Sequence, residues 1–129
     1  PNIIEAEALS GVSVNPNSER SLARASNILM KKGAKKVIIT LSKDGAYYAD
    51  RNGKGLIPAL ENNPINTTGA GDALIAGVAT AITAGYNLRD SVVFGMACSS
   101  ETIESEKTNN PDLTFEVARK RAGLKRLKD

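Results

Sequence analysis

Along the chain, short polar openings alternate with apolar stretches whose spacing switches between helical and extended. Asn2 followed three residues later by Glu5 has the form of a capping box and predicts a short helix through Leu9 that stops at Gly11. Between Ser18 and Lys32, the residues Leu22, Ala25, Ile28 and Leu29 fall on one stripe, with Ser18 as cap and Gly33 just past the end. That pattern predicts an amphipathic helix. Val37-Ile38-Ile39-Thr40-Leu41 is a continuous β-branched run suited to a central strand buried on both faces of a parallel sheet, ending near Ser42.

Two further apolar segments, Ala46 to Ala49 and Leu56 to Ala59, flank Asp50-Arg51-Asn52-Gly53. A hairpin is expected there, with Asn-Gly supplying a positive φ, so the sheet gains an antiparallel edge. After Pro64 a glycine-rich stretch leads into Ala73 to Ala84, where Ile75, Val78, Ala79 and Ile82 predict the buried stripe of a helix stopped by Gly85. A helix from about Arg89 to Glu106 follows. A last one comes after Asn110-Pro111, capped by Thr114. The whole reads as one α/β unit over residues 1–129.

Composition narrows the chemistry. With 129 residues, 41% of them hydrophobic, the chain can bury a core, and no run of eighteen or more apolar residues suggests a membrane span. The single cysteine, Cys98, has small and apolar neighbours, so a core position in a reducing, cytoplasmic compartment is expected. There is no histidine, which excludes His bases, Ser-His triads and His-ligated zinc within these residues. The net charge of +3 comes from Arg119, Lys120, Arg121, Lys125, Arg126 and Lys128 near the end. Aromatics are only 4%, and Phe115, Ala118 and Ala122 recur at helical spacing, so a solvated helix rather than a nucleic-acid surface is expected. Pro1 opens directly onto a helix start, and further residues are expected before it.

The strongest chemical signal is Thr68-Gly69-Ala70-Gly71-Asp72 at a predicted helix N-terminus. Side chains this small let several N–H groups point at an anion, and the helix dipole adds to the effect. Such a cradle suits phosphoryl transfer, where negative charge spreads over the moving group. Asp72 at the same helix start should stay ionised and could accept a hydroxyl proton. The motif is neither a Walker loop, since no Gly-Lys-Ser/Thr follows, nor the dinucleotide fingerprint, since the third glycine is missing.

Asn66 to Ala79, NTTGAGDALIAGVA, resembles the C-terminal signature of the ribokinase or PfkB carbohydrate kinase family. Thr40-Leu41-Ser42-Lys43-Asp44-Gly45 is similar to that family's ATP-contacting loop, and Asn2-Ile3-Ile4-Glu5 to its N-x-x-E element near phosphate and magnesium. The resemblance covers the whole chain. It implies the C-terminal part of a three-layer α/β/α fold, with a mostly parallel sheet and an antiparallel hairpin at its edge. It also implies Asp72 as catalytic base, with Gly69, Ala70 and Gly71 as the anion hole. Asn2, Thr40, Ser42, Gly45 and Gly71 become contacts to ATP, and Glu5 acts on Mg²⁺ through water. Asn66 and Thr68 would adjoin a K⁺ site. There the family often has Asp in place of Asn66, and the lost charge should weaken cation binding.

From the same resemblance the substrate is a sugar or nucleoside, with neither nucleic acid nor membrane as partner, and a homodimer would form through the lid. The upstream portion that binds substrate and forms the lid is absent from these residues. The piece alone is therefore expected to lack a substrate pocket, to be inactive, and to expose an apolar strand edge. Gly95 to Ser100 and Thr108 to Leu113 look like the corresponding segments of bacterial-type pseudouridine kinases, as does Asn66, which favours a nucleoside 5′-hydroxyl as acceptor. Plainer explanations stand beside these: a capping box for Asn2 and Glu5, a strand end and turn for Thr40 to Gly45, an ordinary turn for Thr108 to Leu113. A ribose or fructose kinase, or a non-catalytic nucleotide-binding module of the same fold, remains open.

Overall fold

The computed structural model describes residues 1–41, 44–59, 70–104, 119, 120 and 123, with the side chains of 70–72 and 99–104 left aside. Helix α1 (Ile3–Ser10) starts with both arms of the capping box in place. Asn2 Oδ1 accepts from the Glu5 N–H at 2.8 Å, and Glu5 Oε1 accepts from the Asn2 N–H at 2.9 Å. It ends where Gly11, at φ 79°, turns left-handed and donates its N–H to the Glu7 carbonyl. Helix α2 (Glu19–Lys31) is capped by the Ser18 hydroxyl and buries Leu22, Ala25, Ser26 and Leu29, while Ile28 is only half-buried.

Strands β1 (Lys36–Thr40), β2 (Ala46–Asp50) and β3 (Gly53–Ile57) form a sheet in that order, and both pairings are antiparallel. Among the described residues the parallel part of the sheet is therefore a single bridge, Asn2 to Thr40, on the other side of β1. β1 has the apolar content expected of a strand covered on both faces, but its long-side neighbour is the hairpin rather than a parallel strand.

Side chains alternate between two cores with period two. Val37, Ile39, Tyr47 and Ala49 join Ala6 of α1 and Leu22, Ala25 and Leu29 of α2. Ala46, Tyr48, Ile38 and Ile57 join residues of α3 (Ala70–Ala84) and α4 (Leu88–Glu104) on the opposite face. The described elements thus stack as helix, sheet, helix.

The hairpin turn is tighter than the sequence suggests. β3 begins at Gly53, three residues before the expected Leu56, and a two-residue loop of Arg51 and Asn52 joins the strands. Gly53 does not have a positive φ. The turn is held instead by Asp50 Oδ1, which accepts from the N–H groups of Asn52 and Gly53 at 2.9 and 3.0 Å.

Helix α3 also differs. Its buried face is Leu74, Gly77, Val78 and Ala81, whereas the expected Ile75 is 52% exposed and Ala79 is exposed as well. Glycine packing decides this orientation. A Cβ on Gly95 of α4 would lie 2.5 Å from the Leu74 carbonyl oxygen, and one on Gly77 would lie 2.9 Å from Gly95 Cα and from Cys98 Sγ. The helices approach on the side with least bulk, one position away from the isoleucine stripe. Cys98 is half-buried beside that crossing, on a helix as expected. Thr108 to Leu113, Thr114, Phe115, Ala118, Ala122 and most of the basic tail lie outside the described residues. Arg119 and Lys120 are helical there, and Gly123 follows at φ 72°.

Candidate active site

The C-terminal end of β1 gathers three of the residues singled out above. The Pro1 carbonyl accepts from the Thr40 N–H at 2.9 Å and from Thr40 Oγ1 at 3.4 Å, so the start of the chain is stitched to the end of the strand. This places Asn2 beside Thr40 through the parallel bridge. On the other side Thr40 pairs with Ala46, whose neighbour is Gly45. The loop between them is closed by the Leu41 N–H donating to the Gly45 carbonyl at 2.8 Å and the Asp44 N–H donating to the Leu41 carbonyl at 3.0 Å. Asn2, Thr40 and Gly45 therefore lie at one end of the sheet; Ser42 lies outside the described residues.

Helix α3 points its N-terminus to the same end. Leu74, in its second turn, shares a core with Ala46 and Ile57, the pair beside the loop. Its last residues and the turn after it meet the hairpin tip, where Ile82, Tyr86 and Arg89 line a depression with Lys36, Tyr48, Asp50 and Asn52. Ala70, Gly71 and Asp72 form the first turn of α3, whose backbone N–H groups have no acceptor inside the helix. That is a fitting place for an anion, because donors and dipole point the same way. Asn66, Thr68 and Gly69 lie outside the described residues.

The capping box bears on a metal. It uses one carboxylate oxygen of Glu5 and the side-chain amide oxygen of Asn2, and Glu5 is exposed. The other Glu5 oxygen is a hard donor that suits Mg²⁺ through an intervening water. No group of three or more His, Cys, Asp or Glu side chains able to hold a metal occurs among the described residues. Glu5 could therefore serve a metal here as an outer contact. The capping and the metal interpretations of Asn2-x-x-Glu5 are thus compatible, since the box leaves polar atoms of both residues over.

Two features of this end were not legible in the sequence. One is the Pro1 carbonyl that fixes Thr40; the other is the backbone of Ile57 to Ala59 against which Gly45 rests. Both are main-chain contacts across long sequence separations, which no side-chain pattern announces.

The profile of the pfkB family carbohydrate kinases matches residues 1–114. The chain belongs to that family. Pseudouridine kinase of Escherichia coli is 37% identical over 116 residues, covering 89% of this chain and 36% of the relative. Ribokinase of Staphylococcus aureus is 39% identical over 105 residues, covering 81% and 34%. Among solved structures, a candidate sugar kinase from Clostridium perfringens superimposes with TM-score 0.80 at 36% identity, covering 95% of this chain and 38% of that one. Arabidopsis thaliana ribokinase complexed with ribose and ATP has the same fold, with TM-score 0.73 at 20% identity over 97% of this chain and 40% of that one. The pfkB chain described here is therefore ribokinase-like in architecture and spans about a third of the length of the curated relatives it matches. No helix among the described residues is long and apolar enough to cross a membrane.

Proposed function

We propose that residues 1–129 are the C-terminal, ATP-binding portion of a carbohydrate kinase domain that phosphorylates a sugar or nucleoside hydroxyl, with pseudouridine and its 5′-hydroxyl as the favoured acceptor. The observation that carries this is the start of α3 at Ala70-Gly71-Asp72, packed through Leu74 onto the sheet end that holds Thr40, Gly45 and Asn2. Family membership supports ATP as the phosphoryl donor and Mg²⁺ as its counter-ion.

In this reading ATP supplies the transferable phosphoryl group. The N–H groups of Gly69, Ala70 and Gly71 hold the charge that develops on it. Asp72 takes the proton of the acceptor hydroxyl as its oxygen bonds to phosphorus and the bond to the departing ADP breaks. Asn2, Thr40, Ser42, Gly45 and Gly71 hold the nucleotide, and Glu5 would face Mg²⁺ through water, the ion supplying positive charge against the phosphates. Asn66 and Thr68 would adjoin K⁺, which the missing carboxylate would leave more weakly held.

The upstream portion of the domain supplies the substrate pocket. Two observations favour that division. The relatives are about three times as long as the matched region, and the outer side of β1 borders a groove of about 310 Å³ lined by Pro1, Leu9, Leu29, Ala34, Val37 and Ile38 together with Lys32 and Lys36. A strand laid parallel to β1 would continue the Asn2–Thr40 bridge and complete a mostly parallel sheet. Carried over from the family, a pair of chains associates through the lid outside these residues, and the single cysteine fits a cytoplasmic setting.

The test is a panel assay of the full-length protein with ATP, Mg²⁺ and K⁺ against pseudouridine, uridine, ribose, fructose and fructose 1-phosphate. Turnover with pseudouridine alone establishes the nucleoside acceptor favoured by the E. coli relative. Turnover only with a sugar keeps the kinase and favours the ribokinase relative. Silence on all five with intact ATP binding leaves a nucleotide-binding module.

A further inference from the structure

Gly45 is buried and has φ 97°, a conformation that residues with a side chain rarely adopt. Space is the stricter constraint. A Cβ there would overlap the Ile57 carbonyl oxygen and come within 2.8 Å of Pro58 C and Ala59 N. Gly11 and Gly33 also have positive φ, yet a Cβ on either would meet nothing within 4 Å. Those two serve the turn of the chain; Gly45 serves a contact between two backbones.

That contact joins the two halves of the candidate site. One side is the loop after β1, closed by the Leu41–Gly45 hydrogen bond. The other is the end of β3, where the Ile57 side chain, 5% exposed, packs in one core with Leu74 and Val78 of α3. We propose that Gly45 is a positioning residue. By lacking a side chain it lets the loop after β1 seat on Ile57–Ala59, and through Ile57 this seat fixes the loop's distance from the opening turns of α3. The inference rests on the proposed kinase function for its kinetic consequences, but its structural content stands without it. A bulkier residue would separate the nucleotide loop from the helix start that carries Asp72, and displacements of about 1 Å in such sites can cost on the order of 100-fold in rate.

The experiment uses the full-length protein and its Gly45→Ala variant. Hydrogen exchange of residues 70–76 and of 41–46 is followed without ligand, and kcat, acceptor KM and affinity for a non-hydrolysable ATP analogue are measured. The expected result is faster exchange in both segments together, with kcat lowered roughly 10- to 100-fold at saturating ATP. Weakened analogue binding with kcat intact at saturation, or faster exchange in 41–46 alone, would overturn the proposal and leave Gly45 as a local nucleotide contact. Lower thermal stability with unchanged kcat and KM would reduce it to a structural residue. If the wild type binds the analogue but phosphorylates no acceptor, the kinase reading fails, and paired exchange in 41–46 and 70–76 still decides the Gly45 question. Should Gly45→Ala not fold, Pro58→Gly relaxes the opposite side of the same seat. It is expected to raise exchange in both segments and lower kcat severalfold; unchanged exchange in 70–76 would sink the idea.

Discussion

The two helical layers are fixed by different means. On one face α1 and α2 are bounded by side-chain caps: Asn2 with Glu5 and Ser18 at their starts. Further side-chain bonds tie the segments together, the Glu7 carboxylate accepting from the Val14 N–H and Lys32 Nζ donating to the Leu9 carbonyl. On the other face α4 is capped too, the Asn87 side chain accepting from the Asp90 N–H at 2.8 Å, but α3 and α4 are set against each other by close approach at Gly77 and Gly95, where a missing atom decides the spacing. Capping is local and can be read three residues at a time. Close approach joins positions eighteen residues apart and depends on what faces what. The proposed chemistry occupies the helix of the second layer, so the layer that is harder to read carries Asp72.

The largest effect expected separates chemistry from packing within α3. Replacing Asp72 by Asn in the full-length protein should lower turnover by roughly 10²- to 10⁴-fold while ATP-analogue affinity changes little, because a proton acceptor is lost and the helix start is kept. Steady-state kinetics and calorimetry check both halves. Equal turnover in the two proteins would remove Asp72 from the reaction and favour the non-catalytic module.

Next comes the crossing itself. Gly95→Val places carbon 2.5 Å from the Leu74 carbonyl and 2.7 Å from Val78 Cγ2. The helices must part, at a cost of about 3 kcal/mol, read as a lower urea midpoint. No comparable loss is expected from Gly53→Ala in the hairpin, where a Cβ meets nothing within 4 Å and φ is not positive. Similar losses from both would mean that the crossing is no tighter than the turn.

These contrasts explain what was legible. The boundaries of α1 and α2 followed from Asn2, Glu5, Gly11 and Ser18, since a cap is written in the residues that make it. Helix α3 ends before Gly85 as expected but begins at Ala70, three residues before the expected Ala73, and its buried face was read only in part: Val78 and Ile82 reach the core, whereas Ile75 and Ala79 do not. Ile75 is the bulkier residue, and only the position of Gly95 on a separate helix turns the face toward Leu74 and away from Ile75. The hairpin was found from its apolar flanks, while its turn is made by the Asp50 carboxylate rather than by the glycine after Asn52. Of the proposed site, Asn2, Thr40 and Gly45 come together at the end of β1. The Pro1 carbonyl and the Ile57–Ala59 seat stayed hidden because backbone atoms carry no sequence signature.

A smaller effect tests whether the first layer also serves the site. Asn2→Ala removes the cap and should cost about 1 kcal/mol. Glu5→Gln should leave stability almost unchanged, because the amide oxygen still accepts from the Asn2 N–H. If Glu5 faces Mg²⁺ as proposed, the same Glu5→Gln protein should need more Mg²⁺ for half-maximal turnover, since that charge is gone. An unaltered Mg²⁺ requirement, with the expected stability, would confine Glu5 to its capping role.

The smallest effect expected has the opposite sign. Ser26 lies on the buried face of α2, 1% exposed, and its hydroxyl oxygen finds no hydrogen-bond partner among the described residues. Burying a hydroxyl without a partner costs about 1–3 kcal/mol relative to leaving it in water. Alanine removes that cost, forms helix more readily, and fits the space without a new contact, so Ser26→Ala should stabilise the protein by up to about 1 kcal/mol. Chemical denaturation of the two proteins side by side is the check. A loss of stability would mean that the hydroxyl is bonded in solution, and that the layer under α2 is held by a polar contact as well as by caps.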